Sequence, residues 1–316
     1  MPPPGGPVPE PYQVVQVSVP QREKAACRLV AQSSSDKSAG KRFLAAAAEH
    51  SIDLTHFFAS VSRAKGIVRE VCLAVPGSGR TAMFFTSAPA GPDAERELAE
   101  VITRAAGALT LTRLAQALLE PEETGSAAAL TLAGFSTLGE LLYLRRPRPA
   151  SGEFPASMNQ QLPASIEVST WQPGDDPAVT AALEKSYIDT LDCPELCGVR
   201  SMSDVLASHR ATGRWDPRHW WVIRENGVAH GAMLFNPCPE QNSVELVYFG
   251  LSPELRGRAL AAPLLAIGLA SLAPRTETIV TCAVDARNTP ARKLYERFGF
   301  TQFGRRRAMV KPIAER

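Results

Sequence analysis

Residues 244–265 read VELVYFGLSPELRGRALAAPLL. The first eight are apolar except for Glu245, the composition of a buried strand. Ser252-Pro253 turns the chain. A short loop with Arg256, Gly257 and Arg258 follows and runs into an apolar helix expected over 260–272. A strand, a loop and a helix in that order leave free N–H groups and the positive end of a helix dipole at the strand's carboxyl end. Such a place suits a phosphate. Small side chains there let a phosphate reach the backbone, and the two arginines add charge.

Residues 288–300 read NTPARKLYERFGF. Asn288 precedes a helix with Pro290 in its first turn, expected over 290–298. Gly299 closes it as a C-cap. Leu294 and Phe298 read as core and Tyr295 as a boundary aromatic.

Around these two stretches the second half of the chain alternates strands and helices. Strands are expected at 165–171, 220–224, 231–235, 244–251 and 278–284, with two short ones near 300–303 and 307–311. Helices are expected at 178–191, 202–211, 260–272 and 290–298. In 178–191 the residues Val179, Leu183, Tyr187 and Leu191 fall on one face. The first half gives the same order more weakly: strands at 14–19, 56–61, 68–75, 82–86, 114–119 and 138–144, helices within 22–32, 41–50, 94–106 and 126–132. Between the halves, 145–163 reads RRPRPASGEFPASMNQQLP, a linker composition. The chain reads as an α+β protein of two similar units. Its divisions are a disordered leader at 1–11, a first domain at 12–147, a linker at 148–164 and a second domain at 165–316.

Together the two stretches resemble the signature of the GNAT superfamily of N-acyltransferases. Its pyrophosphate motif, Arg/Gln-x-x-Gly-x-Gly/Ala, is matched by Arg256-Gly257-Arg258-Ala259-Leu260-Ala261. Its second motif, Asn-x-x-Ala-x-x-Leu-Tyr-x-x-x-Gly-Phe, is matched by Asn288, Ala291, Leu294, Tyr295, Gly299 and Phe300. The resemblance covers 165 to about 312 and implies two tandem GNAT-like folds, each a mixed, mostly antiparallel sheet flanked by helices. The layout is similar to that of the mycothiol synthases. It implies acetyl-CoA as acyl donor, held by Phe249, Leu251, Arg256, Gly257, Arg258, Ala259, Leu260, Ala261 and Asn288. One departure is Ala259, where the family has Gly. A first-turn helical residue needs no positive φ, so Ala is expected to fit there with its methyl group near the phosphate.

The resemblance also implies a direct attack on the thioester by an amine. An ammonium with a pKa near ~10.4 must lose a proton first. Glu245 is the candidate base, eleven residues before Arg256, the offset of the glutamate in the histone-acetylating branch. It reads equally as a sheet-edge carboxylate or an arginine partner. The Phe249 N–H matches the oxyanion donor. Tyr295 is the candidate proton donor to the departing thiolate, a phenol near ~10 beside a thiol near ~8.5. The counterparts in the first half are Leu130 for Tyr295 and Glu123 for Asn288, and its loop reads SAPAGPDAER. That copy reads as degenerate and structural. Pro76-Gly77-Ser78-Gly79-Arg80 reads as a hairpin turn and not a phosphate loop. His219-Trp220-Trp221 reads as the start of a buried strand.

The acceptor region is expected at 187–209, with Asp189, Asp192, Glu195, Arg200 and Asp204, for an amine on a small molecule or a protein. A non-catalytic acyl-CoA-binding or interaction module is the alternative. A net charge of +2 gives no footprint for nucleic acid or an anionic membrane, which also disfavours aminoacyl transfer from transfer RNA. No apolar run approaches the roughly 20 residues of a membrane span. Six scattered cysteines, of which only Cys193 and Cys197 lie close, suit reduced thiols in the cytoplasm and no metal. Oligomeric state is left open.

Overall fold

The computed structural model describes residues 10–30, 38–154 and 162–314. The leader expected at 1–11 lies outside them except for Glu10 and Pro11, as do 155–161 of the linker. The chain divides into two compact units, one running to Leu138 and resumed from Arg307, the other Gly139–Arg306.

The first unit begins with β1 (Tyr12–Gln16), α1 (Arg22–Val30), α2 (Ala39–Glu49), β2 (Phe57–Ser62), β3 (Val68–Gly77) and β4 (Thr81–Thr86). It continues with α3 (Pro92–Gly107), β5 (Leu114–Leu119), α4 (Thr124–Leu132) and the start of β6 (Ser136–Pro147). β1 to β4 pair antiparallel in sequence order, and β4 pairs parallel with β5. Pro76–Arg80 is the β3–β4 hairpin, with Gly77 opposite Thr81.

The second unit follows with β7 (Ile166–Thr170), α5 (Asp176–Tyr187), α6 (Met202–Ala211), β8 (Trp220–Glu225), β9 (Val228–Cys238) and β10 (Ser243–Leu251). It ends with α7 (Ala261–Ala270), β11 (Ile279–Asp285), α8 (Thr289–Arg297) and the start of β12 (Thr301–Pro312). β7, β8, β9 and β10 pair antiparallel in turn, and β10 pairs parallel with β11. Trp220 is fully buried at the start of β8.

The sixth strand of each unit comes from the other half of the sequence. β6 lies antiparallel to β11, from Leu141↔Asp285 to Pro147↔Ile279. β12 lies antiparallel to β5, from Arg307↔Leu119 to Pro312↔Leu114. The division at 138/139 and 306/307 therefore cuts two continuous strands. The boundary read from the linker at 147/148 differs because composition marks a loop and not the partner that a strand chooses. The linker itself is partly built in. Arg148 N–H donates to the Thr278 carbonyl (2.8 Å), and the Phe154 ring lies 5.5 Å from that of Phe298.

Two helices carry the site. α7 is apolar all round, as a helix buried on several sides must be. Leu264, Leu265, Ala266 and Leu269 are buried. At Gly268 it meets β9 so closely that a Cβ would stand 2.5 Å from Met233 Cε. α8 is ended by Gly299 at φ +76°, the left-handed C-cap expected. α5 stops at Tyr187, four residues short of the expected 191, because Asp189 turns left-handed at φ 50°. Leu191 then lies beyond the helix.

Candidate functional site

The parallel register of β10 and β11 runs from Ser243↔Ile279 to Leu246↔Cys282 and stops there. Beyond it both strands continue, β10 to Leu251 and β11 to Asp285, so the sheet opens like a V. A β-bulge between Leu246 and Tyr248 marks the start of the opening. Such a bulge adds a residue and re-aims those that follow. Phe249 and Leu251 accordingly join Val244 and Leu246 in the core against α7. The gap is a cleft of about 670 Å³, of the size that takes an extended small-molecule ligand.

The floor of the cleft is the loop that leads into α7. Gly257, Ala259, Leu260 and Ala261 line it. α7 has no side-chain N-cap, and Pro263 brings no N–H, so the Ala261 and Ala262 N–H groups are open to a ligand. These features fit a pyrophosphate. Two details differ from expectation. Ala259 does not take a helical φ: it precedes α7 with φ +59°, in the left-handed region. The family glycine is thus a backbone requirement that this chain meets with strain of about 1–2 kcal/mol. The Arg258 side chain is not part of the cleft lining but pairs with Glu225 (2.7 Å). The Arg256 side chain is held on four carbonyls, which gives it the work of a clamp.

Ala259→Gly is expected to relieve that strain and remove a methyl group near the phosphate. Part of the gain is offset by the freer unfolded chain. The expected outcome is an acetyl-CoA Kd about five-fold lower, read by calorimetry, with a small rise in Tm. A Kd that rises would mean that the methyl contact helps.

One wall of the cleft is α8. The Asn288 side chain caps it, accepting the Ala291 N–H at 3.2 Å. Tyr295 is two turns further, only 6% exposed, with its ring 5.5 Å from Phe300. Both residues line the cleft. Burial raises the Tyr295 pKa well above 10, and the nearby Asp192 carboxylate adds to the rise. The phenol therefore stays protonated at neutral pH.

Residues 187–300 match the acetyltransferase (GNAT) family model. The second unit is a GNAT domain. Over 202 residues the chain is 32% identical to mycothiol acetyltransferase from Streptomyces griseus, covering 63% of each chain. Over 178 residues it is 32% identical to the enzyme of that name from Thermomonospora curvata, covering 56% of this chain and 57% of the relative. The chain thus spans less than two thirds of the length of these curated relatives. A GCN5-related N-acetyltransferase from Sphaerobacter thermophilus superposes over 97% of both chains with a TM-score of 0.59 at 19% identity. That likeness shows the fold of the whole chain.

In the GNAT domain, Glu245 does not line the cleft directly. It stands next to Leu246, opposite Thr281 of β11 and Asn236 of β9. Its face is the one turned away from α7, because Val244, Leu246, Val280 and Cys282 all point into the α7 core. Thr281 in turn lies opposite Arg145 of β6, and the cleft-lining Ala283 opposite Tyr143. The Glu245 charge acts on the Tyr143 phenol. Burial raises the Glu245 pKa above the usual carboxylate range.

Three features of the cleft and of the strand beside it escape the sequence reading. The bulge at Val247 has no composition signal. Tyr143 and Arg145 belong to the first half of the chain and reach the GNAT domain through β6. Asp192 is one charged residue among five on the expected rim, yet of those only it and Asp189 line the cleft, and burial raises its pKa. Its spacing gives no hint of this.

In the first unit the parallel register of β4 and β5 likewise stops short of both strand ends, at Met83↔Gln116. α4 abuts the loop after β4: a Cβ on Gly125 would stand 3.1 Å from the Pro89 carbonyl, and Ser126 Oγ donates to the Ser87 carbonyl at 3.3 Å. Leu130, in the place of Tyr295, is fully buried. Among the described residues no group of three or more His, Cys, Asp or Glu is placed to hold a metal, and no helix is long and apolar enough to cross a membrane.

Proposed function

We propose that the chain is an acetyl-CoA-dependent N-acetyltransferase that acts on a small amine, with the chemistry in the second unit and a structural role for the first. The observation that carries this reading is the cleft where β10 and β11 part, with Asn288 and Tyr295 on its wall and the start of α7 at its floor. Bound acetyl-CoA would supply an activated acyl group there. The loop from Gly257 to Ala261 would hold its phosphates, with Phe249, Leu251 and Asn288 along the arm. The Phe249 N–H would donate to the carbonyl oxygen as charge builds on it. The amine would approach from the face shared by Glu245, Thr281, Ala283 and Tyr143, and lose its proton to Glu245 directly or through water. Tyr295 would give its proton to the thiolate. The relatives named mycothiol acetyltransferases direct the acceptor search to small amines of that type. We place the enzyme in the cytoplasm, where acetyl-CoA is made, and assign it no nucleic-acid or membrane partner.

The test is calorimetric titration with acetyl-CoA, followed by thiol release in the presence of an amine panel. One site per chain with amine-dependent release supports the reading. Binding without release on any amine would favour a non-catalytic module. No binding would overturn the cofactor site.

Glu245 adds a pH prediction. A base must be ionised, so activity rises with pH through its raised pKa. The acid limb of kcat/KM is expected above the ordinary ~4.3 of a glutamate. Glu245→Gln is expected to lower kcat/KM by about 10²-fold or more and to remove that limb. A limb that survives in the variant belongs to another group.

A further inference from the structure

We propose that the acceptor carries an anionic group, a carboxylate or a phosphate, about 10 Å from its amine, and that Arg145, stacked on Phe303, binds that group. This rests on the reading of the cleft given above.

α5 packs on β8, β9 and β10, on the sheet face opposite α7. β11 and β6 continue that face with Thr281 and Ala283 on one strand and Tyr143 and Arg145 on the other. Val280, Cys282, Leu142 and Leu144 alternate with them and point into the α7 core. Ala283 and Arg145 are exposed, and Thr281 and Tyr143 are half-buried. Tyr143 lies opposite Ala283, which lines the cleft. Arg145 lies opposite Thr281, itself opposite Glu245. Arg145 is therefore two strand spacings from Glu245, about 10 Å at the backbone. All these residues belong to the second unit.

Phe303 of β12 completes the patch. Its ring is 49% exposed and stands edge-on to Tyr143 at 6.2 Å. The Arg145 guanidinium lies over that ring at 5.3 Å from its centre. Arg306 lies over the Tyr143 ring at 5.9 Å. A guanidinium stacked by its face keeps its N–H edge for a planar or tetrahedral anion. Among the described residues no carboxylate stands within 4.0 Å of the Arg145 guanidinium. Arg146 is the contrast on the other face: it is buried, pairs with Glu153 and donates to the Phe298 carbonyl at 2.6 Å. That arginine is spent on the fold, whereas Arg145 offers its edge to the open face. The face thus has a carboxylate at the end where the amine reacts and a cation at the other. An acceptor with an amine and an anion matches both ends, and a diamine of the same length sets one cation against Arg145.

The test is a panel of ω-amino carboxylates and ω-aminoalkyl phosphates of graded length, with acetyl-CoA saturating. Each stands beside its neutral amide or ester and the diamine of equal length. At the best length the wild type is expected to show kcat/KM about ten-fold or more above that for the neutral partner, the worth of one charge-assisted hydrogen bond. Arg145→Gln is expected to abolish that preference and to leave kcat/KM for the neutral partner, the acetyl-CoA Kd and Tm unchanged, because the side chain is exposed. Arg145→Glu is expected to reverse it in favour of the diamine. A preference confined to carboxylates or to phosphates supports the proposal and names the anion. A neutral partner turned over as well as the anion, or an Arg145→Gln variant that loses activity on both alike, overturns it. If the wild type acetylates nothing in the panel, the function proposed above fails. Calorimetry of the N-acetylated carboxylates and phosphates on the CoA-saturated protein then decides the anion site. Binding about ten-fold or more weaker in Arg145→Gln supports it. Equal binding, or none, overturns it.

Discussion

Tyr295→Phe is expected to bind acetyl-CoA as the wild type does and to turn over an amine at least about 100-fold more slowly. The ring sits among Phe300 and the α8 core, so phenylalanine keeps the packing and removes one hydroxyl. Stability should change little. The size of the effect follows from the leaving group. At ordinary values a phenol near ~10 is a weaker acid than a thiol near ~8.5, so the transfer runs uphill in water. Burial raises Tyr295 further. The same burial acts on thiols in this region, where desolvation pushes Cys193 up to about 12. A thiolate leaving inside the cleft is desolvated alike, which restores its appetite for the proton. The comparison that matters is thus between two buried groups, and Tyr295 serves as the donor because the cleft keeps it neutral. The measurement is kcat with acetyl-CoA saturating, beside Kd by calorimetry. An unchanged kcat would remove Tyr295 from the chemistry. A Kd that rises in step would make it a binding residue instead.

The parts of the fold that the sequence announces are those with local causes. Asn288 before a Pro-started helix and Gly299 after it define α8 on both sides, and the helix runs within a residue of its expected bounds. Residues 202–211 form α6 at the bounds expected. The alternation of strands such as β4 and β11 is legible because one face is more buried than the other. What is not legible depends on partners distant in sequence. Nothing in 136–147 says that it pairs with 279–285, and nothing in 301–312 distinguishes one long strand from the two short ones expected. At the site, the motif names the right loop but not how its side chains are used. Ala259 reads as a helical residue because α7 follows at once, yet the chain must first pass a left-handed turn. Arg256 reads as a phosphate ligand because its charge is visible in the sequence and its four carbonyl partners are not.

Arg256→Ala is expected to weaken acetyl-CoA binding at least ten-fold without removing any charge from the phosphates. The Arg256 Nε donates to the Leu251 carbonyl at 2.9 Å, at the end of β10. One terminal nitrogen donates to the carbonyls of Ile188 (2.8 Å) and Asp189 (3.0 Å), and the other to that of Ser186 (2.7 Å). One planar group thereby caps the last turn of α5 and ties it to the loop that carries Gly257 and Ala259. Its loss frees four carbonyls. Water can replace part of the bonding, so the expected destabilisation is about 2 kcal/mol and not the sum of four charged bonds. For a unit of this size that lowers Tm by about 4–8 °C. The left-handed residues Asp189 and Ala259 then relax, and the N–H groups at the floor of the cleft lose their common aim. Lysine should not rescue, because an ammonium cannot span four carbonyls in one plane. Arg258→Ala provides the contrast. Arg258 is spent on Glu225 at the surface, and its removal is expected to leave Kd within about three-fold. If the two variants weaken binding equally, positive charge and not loop geometry holds the phosphates. If only Arg256→Ala does, and it lowers Tm as well, the affinity of this cleft comes from a backbone loop that one buttressing arginine keeps in shape.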